Sequence, residues 1–209
     1  MSDKNFIERY TFRERLAHWI VAFTFILLAL SGLSNFHPVF NVLNNLFGGG
    51  TWARILHPFF GVVLAVSFVD LARRFWNANR IAPADREWMG QLKEMLANRP
   101  VKLVETGKYN IAQKYYFWIL TTAIAVLAVT GFVVWQPYFA PLFPIWLLQL
   151  AILTHSVAGF AAVVALIVHI YAAYWVRGSI PAMTRGTVTQ TWAKHHHPGW
   201  YREVTKGSK

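Results

Sequence analysis

The fold is decided by LLQLAILTHSVAGFAAVVALIVHIYAAYWV, residues Leu147 to Val176. No charged residue occurs between Lys114 and Arg177. A run this long and this apolar exceeds the roughly 20 residues that a helix needs to cross the hydrocarbon core of a bilayer. It holds two histidines, His155 and His169, fourteen residues apart. At about 3.6 residues per turn that is nearly four whole turns, so both imidazoles leave the same helix face. At about 1.5 Å per residue they stand about 21 Å apart along the axis, most of the way across a core of about 30 Å. The run is centred near Ala162, and so is the histidine pair. One ligand-type side chain therefore lies in each leaflet, which reads as a ladder for two stacked metal centres.

The rest of the chain repeats the apolar theme. Of 209 residues 56% are hydrophobic and only 14% charged, where a soluble domain carries about a quarter charged residues. The apolar residues gather into four blocks, so the expected class is an all-α integral membrane protein, a bundle of four transmembrane helices. The spans are predicted at about 16–34, 54–71, 115–135 and 147–176. Pro58 is expected in the first turn or so of the second span, where amides lack intrahelical partners. No cysteine is present. Disulfides, thiolate metal sites and Cys-ligated iron–sulfur clusters are thereby excluded, and histidine is left as the softer metal ligand.

Three other segments matter. Asn35–Thr51, with Pro38 and Gly48-Gly49-Gly50, reads as an uncharged turn region in which His37 is solvated. The long polar loop 72–114 contains Ala84–Asn98, where Trp88, Leu92, Met95 and Leu96 recur at helical spacing, as in a short helix lying on a membrane surface. The basic tail, 177–209, with His195-His196-His197, is expected to be solvent-exposed.

Orientation follows from the basic residues: four precede the first span, nine lie between Arg73 and Lys114, and six follow the fourth span, against Arg54 alone on the other side. Both termini and the long loop are therefore expected in the cytoplasm. Trp19, Trp52, Trp76, Trp118, Trp135, Trp146 and Trp175 fall near span ends, as an aromatic belt requires.

Topology then pairs the histidines by depth. His18 lies at the cytoplasmic end of the first span and His169 in the inner half of the fourth. His57 lies at the outer end of the second span and His155 in the outer half of the fourth. Two bis-histidine sites result, one per leaflet. Two neutral imidazoles without thiolate or carboxylate suit a six-coordinate haem iron engaged in electron transfer. C-x-x-C-H is absent, so the haems would be b-type, held non-covalently. Gly32, Gly61 and Gly159 would let a flat macrocycle approach the backbone. A transmembrane histidine can instead be a carbonyl-bonded core residue, and a His-rich bundle can be a proton relay or a metal-ion transporter. Two depth-matched pairs, with Asp70 near a span end as the single candidate intramembrane carboxylate, favour the two-haem reading. A histidine-based transporter is the rival of another class, and a purely structural membrane anchor is a third.

A two-haem ladder moves electrons between the faces of a membrane, and the inner haem needs a partner. The start of the third span, Gly107 to Trp118, puts polar Asn110 and Gln113 three apart on one helix face, followed by aromatics. Such a pocket suits a quinone. Asn110 is equally suited to capping the helix, and the two roles are compatible.

The sequence resembles the cytochrome b (gamma) subunit of membrane-bound respiratory formate dehydrogenases over nearly its whole length. The resemblance is carried by Arg54-Ile-Leu-His57-Pro-Phe-Phe-Gly61, by Gly107-Lys-Tyr-Asn110 through Gln113-Lys114, and by Trp135-x-Pro137-Tyr-Phe-Ala140. His169-Ile-Tyr171, Trp175-Val-x-Gly-Ser-Ile180 and the closing Trp192-Ala-Lys-His-His-x-Pro198-x-Trp200-Tyr-Arg-Glu203 extend it. It implies haem axial ligands at His57 and His155 for the outer haem and at His18 and His169 for the inner one. It also implies a site for menaquinone or ubiquinone around Gly107, Asn110, Gln113 and His169; Ala112 departs from the glycine of the family pattern. The implied partners are an iron–sulfur beta subunit with its own anchor helix and a molybdenum- or tungsten-pterin alpha subunit that oxidises formate. Assembly as a trimer of heterotrimers in the bacterial inner membrane is implied too. A dihaem cytochrome b serving a hydrogenase or a thiosulfate reductase is the nearest alternative.

Overall fold

The structure is a computed structural model that describes residues 5–91, 93, 94, 97, 99 and 106–206. Four long helices dominate it: α1 (Phe12–Phe36), α2 (Gly50–Phe75), α4 (Ile111–Val134) and α5 (Ile145–Trp175), each long and apolar enough to cross a membrane. Between α2 and α4 lies the short helix α3 (Pro83–Gly90). After α5 come α6 (Ser179–Arg185), α7 (Gln190–His196) and α8 (Pro198–Lys206). Two three-residue strands, β1 (Phe6–Glu8) and β2 (Thr187–Thr189), pair antiparallel with Ile7 opposite Val188. The chain packs as two compact units. The first comprises Met1–Arg15, Arg73–Trp118 and Ala172–Lys209; the second comprises Leu16–Ala72 and Ile119–Tyr171.

Local chemistry starts the helices. At the head of α1, Thr11 Oγ1 accepts from the Glu14 amide at 3.3 Å while Glu14 Oε2 accepts from the Thr11 amide at 2.7 Å. Asn110 and Gln113 form the same reciprocal box at the head of α4, each amide donating to the other's side-chain oxygen at 3.0 Å. Each box satisfies amides that a helix N-terminus leaves orphaned.

The second unit exposes many more large apolar side chains than a soluble bundle would. Its buried residues include many small or hydroxyl-bearing ones, among them Ala17, Ser31, Ser34, Ala151 and Ala162, beside a few large ones such as Phe25, Leu64 and Phe68, whereas Val66, Val129, Leu153 and Phe160 are exposed by more than 60%. Without a hydrophobic drive between helices in lipid, close packing needs small interfacial residues and large apolar ones face the acyl chains. These four helices make the chain a multi-pass membrane protein. Trp19, Trp52, Trp146 and Trp175 are exposed on the long helices.

Three expectations change here. Helix α2 begins at Gly50, directly after Gly48 and Gly49 at φ 84° and 108°. Pro58 therefore sits in the helix interior and deprives the Arg54 carbonyl of its amide donor. The turn region 35–51 contains a 3₁₀ stretch, Pro38–Phe47, capped by His37, whose Nδ1 accepts from the Val39 amide at 3.2 Å. The tail is not a solvated strand of charge. It folds into α6, β2, α7 and α8 and buries His197 and Trp200, because the aromatic residues among its basic ones supply a core. Of the stretch 84–98, residues through Gly90 are helical in α3, while Leu92, Met95, Leu96 and Asn98 lie outside the described residues.

The first unit is organised around buried charge. Arg9 is 4% exposed and its guanidinium lies 4.9 Å from the Trp192 ring, 5.0 Å from Trp200, 5.5 Å from Tyr10 and 5.9 Å from Tyr109. One of its nitrogens donates to the Lys108 carbonyl at 2.7 Å and stands 3.1 Å from His197 Nε2. The closing Trp192–Trp200 motif is thus folded over a cation from the other end of the chain. Glycine at 186 (φ 89°) is required: its carbonyl accepts from the Arg9 and Tyr10 amides, and an added Cβ would stand 2.7 Å from the Tyr10 carbonyl oxygen.

Candidate cofactor site

Within the second unit the four spanning histidines meet in twos. His57 from α2 faces His155 from α5 with ring centroids 6.2 Å apart and planes at 68°. His18 from α1 faces His169 from α5, also at 6.2 Å, with planes at 46°. Helix α5 is unbroken from Ile145 to Trp175, so the two pairs are separated by about 21 Å of helical rise. Among the described residues no three His, Cys, Asp or Glu side chains converge as a metal-ion cage would require.

The His57–His155 pair is backed by hydroxyls. Ser31 Oγ of α1 lies 2.7 Å from His57 Nδ1, and Thr130 Oγ1 of α4 lies 2.9 Å from His155 Nδ1. The residue after each hydroxyl is a glycine, and a Cβ built there would stand 3.4 Å (Gly32) or 3.2 Å (Gly131) from Cε1 of the same histidine. Ser31, Thr130 and Gly131 escaped the sequence reading. Their signal was a hydroxyl–glycine dipeptide in each of two spans, which means little until the fold puts a histidine opposite. Of the glycines singled out from sequence, a Cβ built at Gly159 would stand 3.8 Å from Leu127 of α4, and one built at Gly61 would meet nothing within 4 Å.

The residues expected around a quinone divide between the units. Gly107, Asn110 and Gln113 belong to the first and His169 to the second. Asn110 is half-buried and Gln113 exposed. Their oxygens are engaged in the capping box, which leaves the two side-chain NH₂ groups as donors. The Gly107 carbonyl accepts from His197 Nδ1 at 2.9 Å. Nearby in the first unit is a cavity of ≈ 410 Å³ bordered by Ala82, Asp85, Gly107, Lys114, Arg202 and Glu203, but not by Asn110 or Gln113. Ala112 is exposed in the first turn of α4.

The chain has known relatives. Residues 9–186 match the family described as prokaryotic cytochrome b561. The chain belongs to that family. It is 47% identical to the formate dehydrogenase cytochrome b556(fdo) subunit of Escherichia coli K12, covering 99% of this chain and 97% of the relative. It is 42% identical to the nitrate-inducible formate dehydrogenase cytochrome b556(Fdn) subunit of the same strain, covering 99% and 95%. A formate dehydrogenase cytochrome b556 subunit of Haemophilus influenzae is 38% identical over 97% of this chain and 85% of the relative. Membership of a cytochrome b family implies a b-type haem.

The residues present fit that group. A b-type haem would take neutral imidazoles from the protein as its iron ligands, and each pair offers two. Both pairs stand at 6.2 Å.

Proposed function

We propose that this chain is the cytochrome b subunit of a respiratory formate dehydrogenase in the bacterial inner membrane. In this reading it passes electrons from a periplasmic iron–sulfur subunit to a quinone reduced near the cytoplasmic face. The observation that carries it is the pair of facing imidazoles, each at 6.2 Å, at two levels of one unbroken helix. His57 and His155 would hold the outer haem, His18 and His169 the inner one. Bound haem iron supplies one-electron redox chemistry at each level. The chain's own part is to fix four imidazoles in depth and to keep water out with apolar spans.

Quinone reduction takes two electrons and two protons. Asn110 and Gln113, at the head of α4 beside the basic loop, are the proposed donors to a quinone carbonyl, with Gly107 and His169 completing the set. Protons drawn from the cytoplasmic side, where both termini lie in this topology, would make the chain half of a proton-motive loop. Each charge moved against 100 mV stores about 2.3 kcal/mol. Formate oxidation falls to a molybdenum- or tungsten-pterin subunit, electron delivery to an iron–sulfur subunit with an anchor helix, and the assembly is proposed as a trimer of heterotrimers.

The test is a reduced-minus-oxidised spectrum of the purified complex with pyridine haemochrome quantitation for this chain. Two b haems per chain are expected. None in well-folded, partner-bound protein would overturn the reading and leave a histidine-based transporter, which predicts metal-dependent flux, as its replacement.

A further inference from the structure

The hydroxyls behind His57 and His155 have a second contact that fixes their role. Ser31 Oγ lies 2.8 Å from the Leu27 carbonyl oxygen, and Thr130 Oγ1 lies 2.7 Å from that of Val126, each one turn back in its own helix. A carbonyl oxygen can only accept, and a hydroxyl has one proton to give. At such separations two oxygens attract only if the proton lies between them; otherwise their lone pairs repel. Both hydroxyl protons are therefore committed to the backbone. What the oxygens offer the histidines is a lone pair, so Nδ1 of His57 and of His155 must be the donor. The tautomer follows: the proton sits on Nδ1, and Nε2 keeps its lone pair for a metal. The device occurs twice, as Ser31-Gly32 on α1 and Thr130-Gly131 on α4, the glycine leaving space for the imidazole that the hydroxyl holds. The other pair is furnished differently, for His18 Nδ1 is buried without a hydrogen-bond partner among the described residues.

We propose that Ser31 and Thr130 are positioning residues of the His57–His155 site, which lock both ligands as Nδ1–H tautomers and lower the reduction potential of the haem held there. The inference rests on the bis-histidine reading above. A hydrogen bond donated by Nδ1–H makes the imidazole a more basic ligand, and a more electron-rich ligand favours ferric iron. The buried, unpartnered Nδ1 of His18 gives the other haem no such help from that ligand. A lowered outer potential runs in the direction that favours electron flow from the outer haem to the inner one.

The experiment compares Ser31→Ala, Thr130→Val and the double variant in the intact complex. It uses potentiometric titration of both haems, electron paramagnetic resonance of the low-spin ferric irons, and haem content. His57→Ala, which removes the outer ligand, assigns the two potentials. Two haems per chain are expected in each variant, with the outer potential raised, the inner one unmoved, and the outer resonance alone shifted. Ser31→Thr and Thr130→Ser should retain the wild-type values. Unchanged potentials and resonances with both haems bound would overturn the proposal, and so would equal movement of both haems. Should Thr130→Val fold poorly, Ser31→Ala carries the test alone, since alanine is the better helix former. Failure of the underlying reading looks different: a wild-type chain without two haems, or His57→Ala retaining both.

Discussion

The spanning unit and the unit built from the termini and the long loop bury different kinds of polar residue. In the first of these the buried polar side chains are the hydroxyls of Thr24, Ser31 and Ser34, alanines lie beside a few large residues such as Phe25, Leu64 and Phe68, and most large apolar side chains face outward. In the second, Arg9, Asp85, Lys114 and His197 are each 5% exposed or less, among Tyr10, Tyr109 and Trp200. The solvent explains the contrast. Lipid gives large apolar groups no reason to hide, so helix interfaces select small residues and leave room for a prosthetic group. Water gives aromatics every reason to hide, and here they enclose charges that must then be paired. Lys114 donates to Asp85 at 2.7 Å and to the Arg80 carbonyl at 2.9 Å, while Asp85 also accepts from the Ala82 amide at 2.6 Å. Arg9 is met by ring faces and a carbonyl instead.

The sharpest way to break the comparison is to empty one unit and watch the other. His57→Ala should remove one haem per chain and lower quinone reduction by about 100-fold or more, beyond the roughly 10–100-fold that losing an outer-shell partner costs a metal site. His18→Ala should remove the other haem, with the tail's protection from proteolysis unchanged in both. Two haems retained in either variant would sink the pairing. Next in size is Lys114→Met, which strands a buried carboxylate and should cost about 3–5 kcal/mol. Thermal unfolding would report it, with Lys114→Met/Asp85→Leu recovering most of the loss.

Asn110 sharpens the boundary between structure and function. Asn110→Ala should cost about 1 kcal/mol through the lost cap, whereas Asn110→Ser keeps a capping oxygen. A several-fold higher quinone KM in the serine variant, at unchanged stability, would assign the amide to substrate. An unchanged KM would leave Asn110 a cap and nothing more. The smallest effect concerns His197, whose pKa is lowered from 6.5 to about 3, first by burial and then by the Arg9 charge. The unfolded chain takes up this proton below pH about 6.5 and the folded one only below about 3, so its contribution is full above the upper value and fades as pH falls between them. Hydrogen-exchange protection of the Trp192–Trp200 amides should decline between pH 7 and 5, and His197→Gln should flatten that decline.

Composition and periodicity alone determined the four spans, the absence of thiolate chemistry, and the fact that His155 and His169 share a helix face. Chain direction then matched His57 to one and His18 to the other by depth, since alternating spans fix which end of each helix shares a level. These are properties of a one-dimensional pattern: length, charge and the period of the helix. Only the tertiary structure decided that Ser31 and Thr130 stand behind two of the imidazoles, that Gly131 makes room for one, and that Arg9 holds the tail. Those contacts join residues 24 to 188 positions apart, and no local preference records them. A serine that bonds its own helix reads the same whether or not a histidine faces it. A histidine in a basic tail reads as solvated until an arginine from the other end of the chain is folded against it.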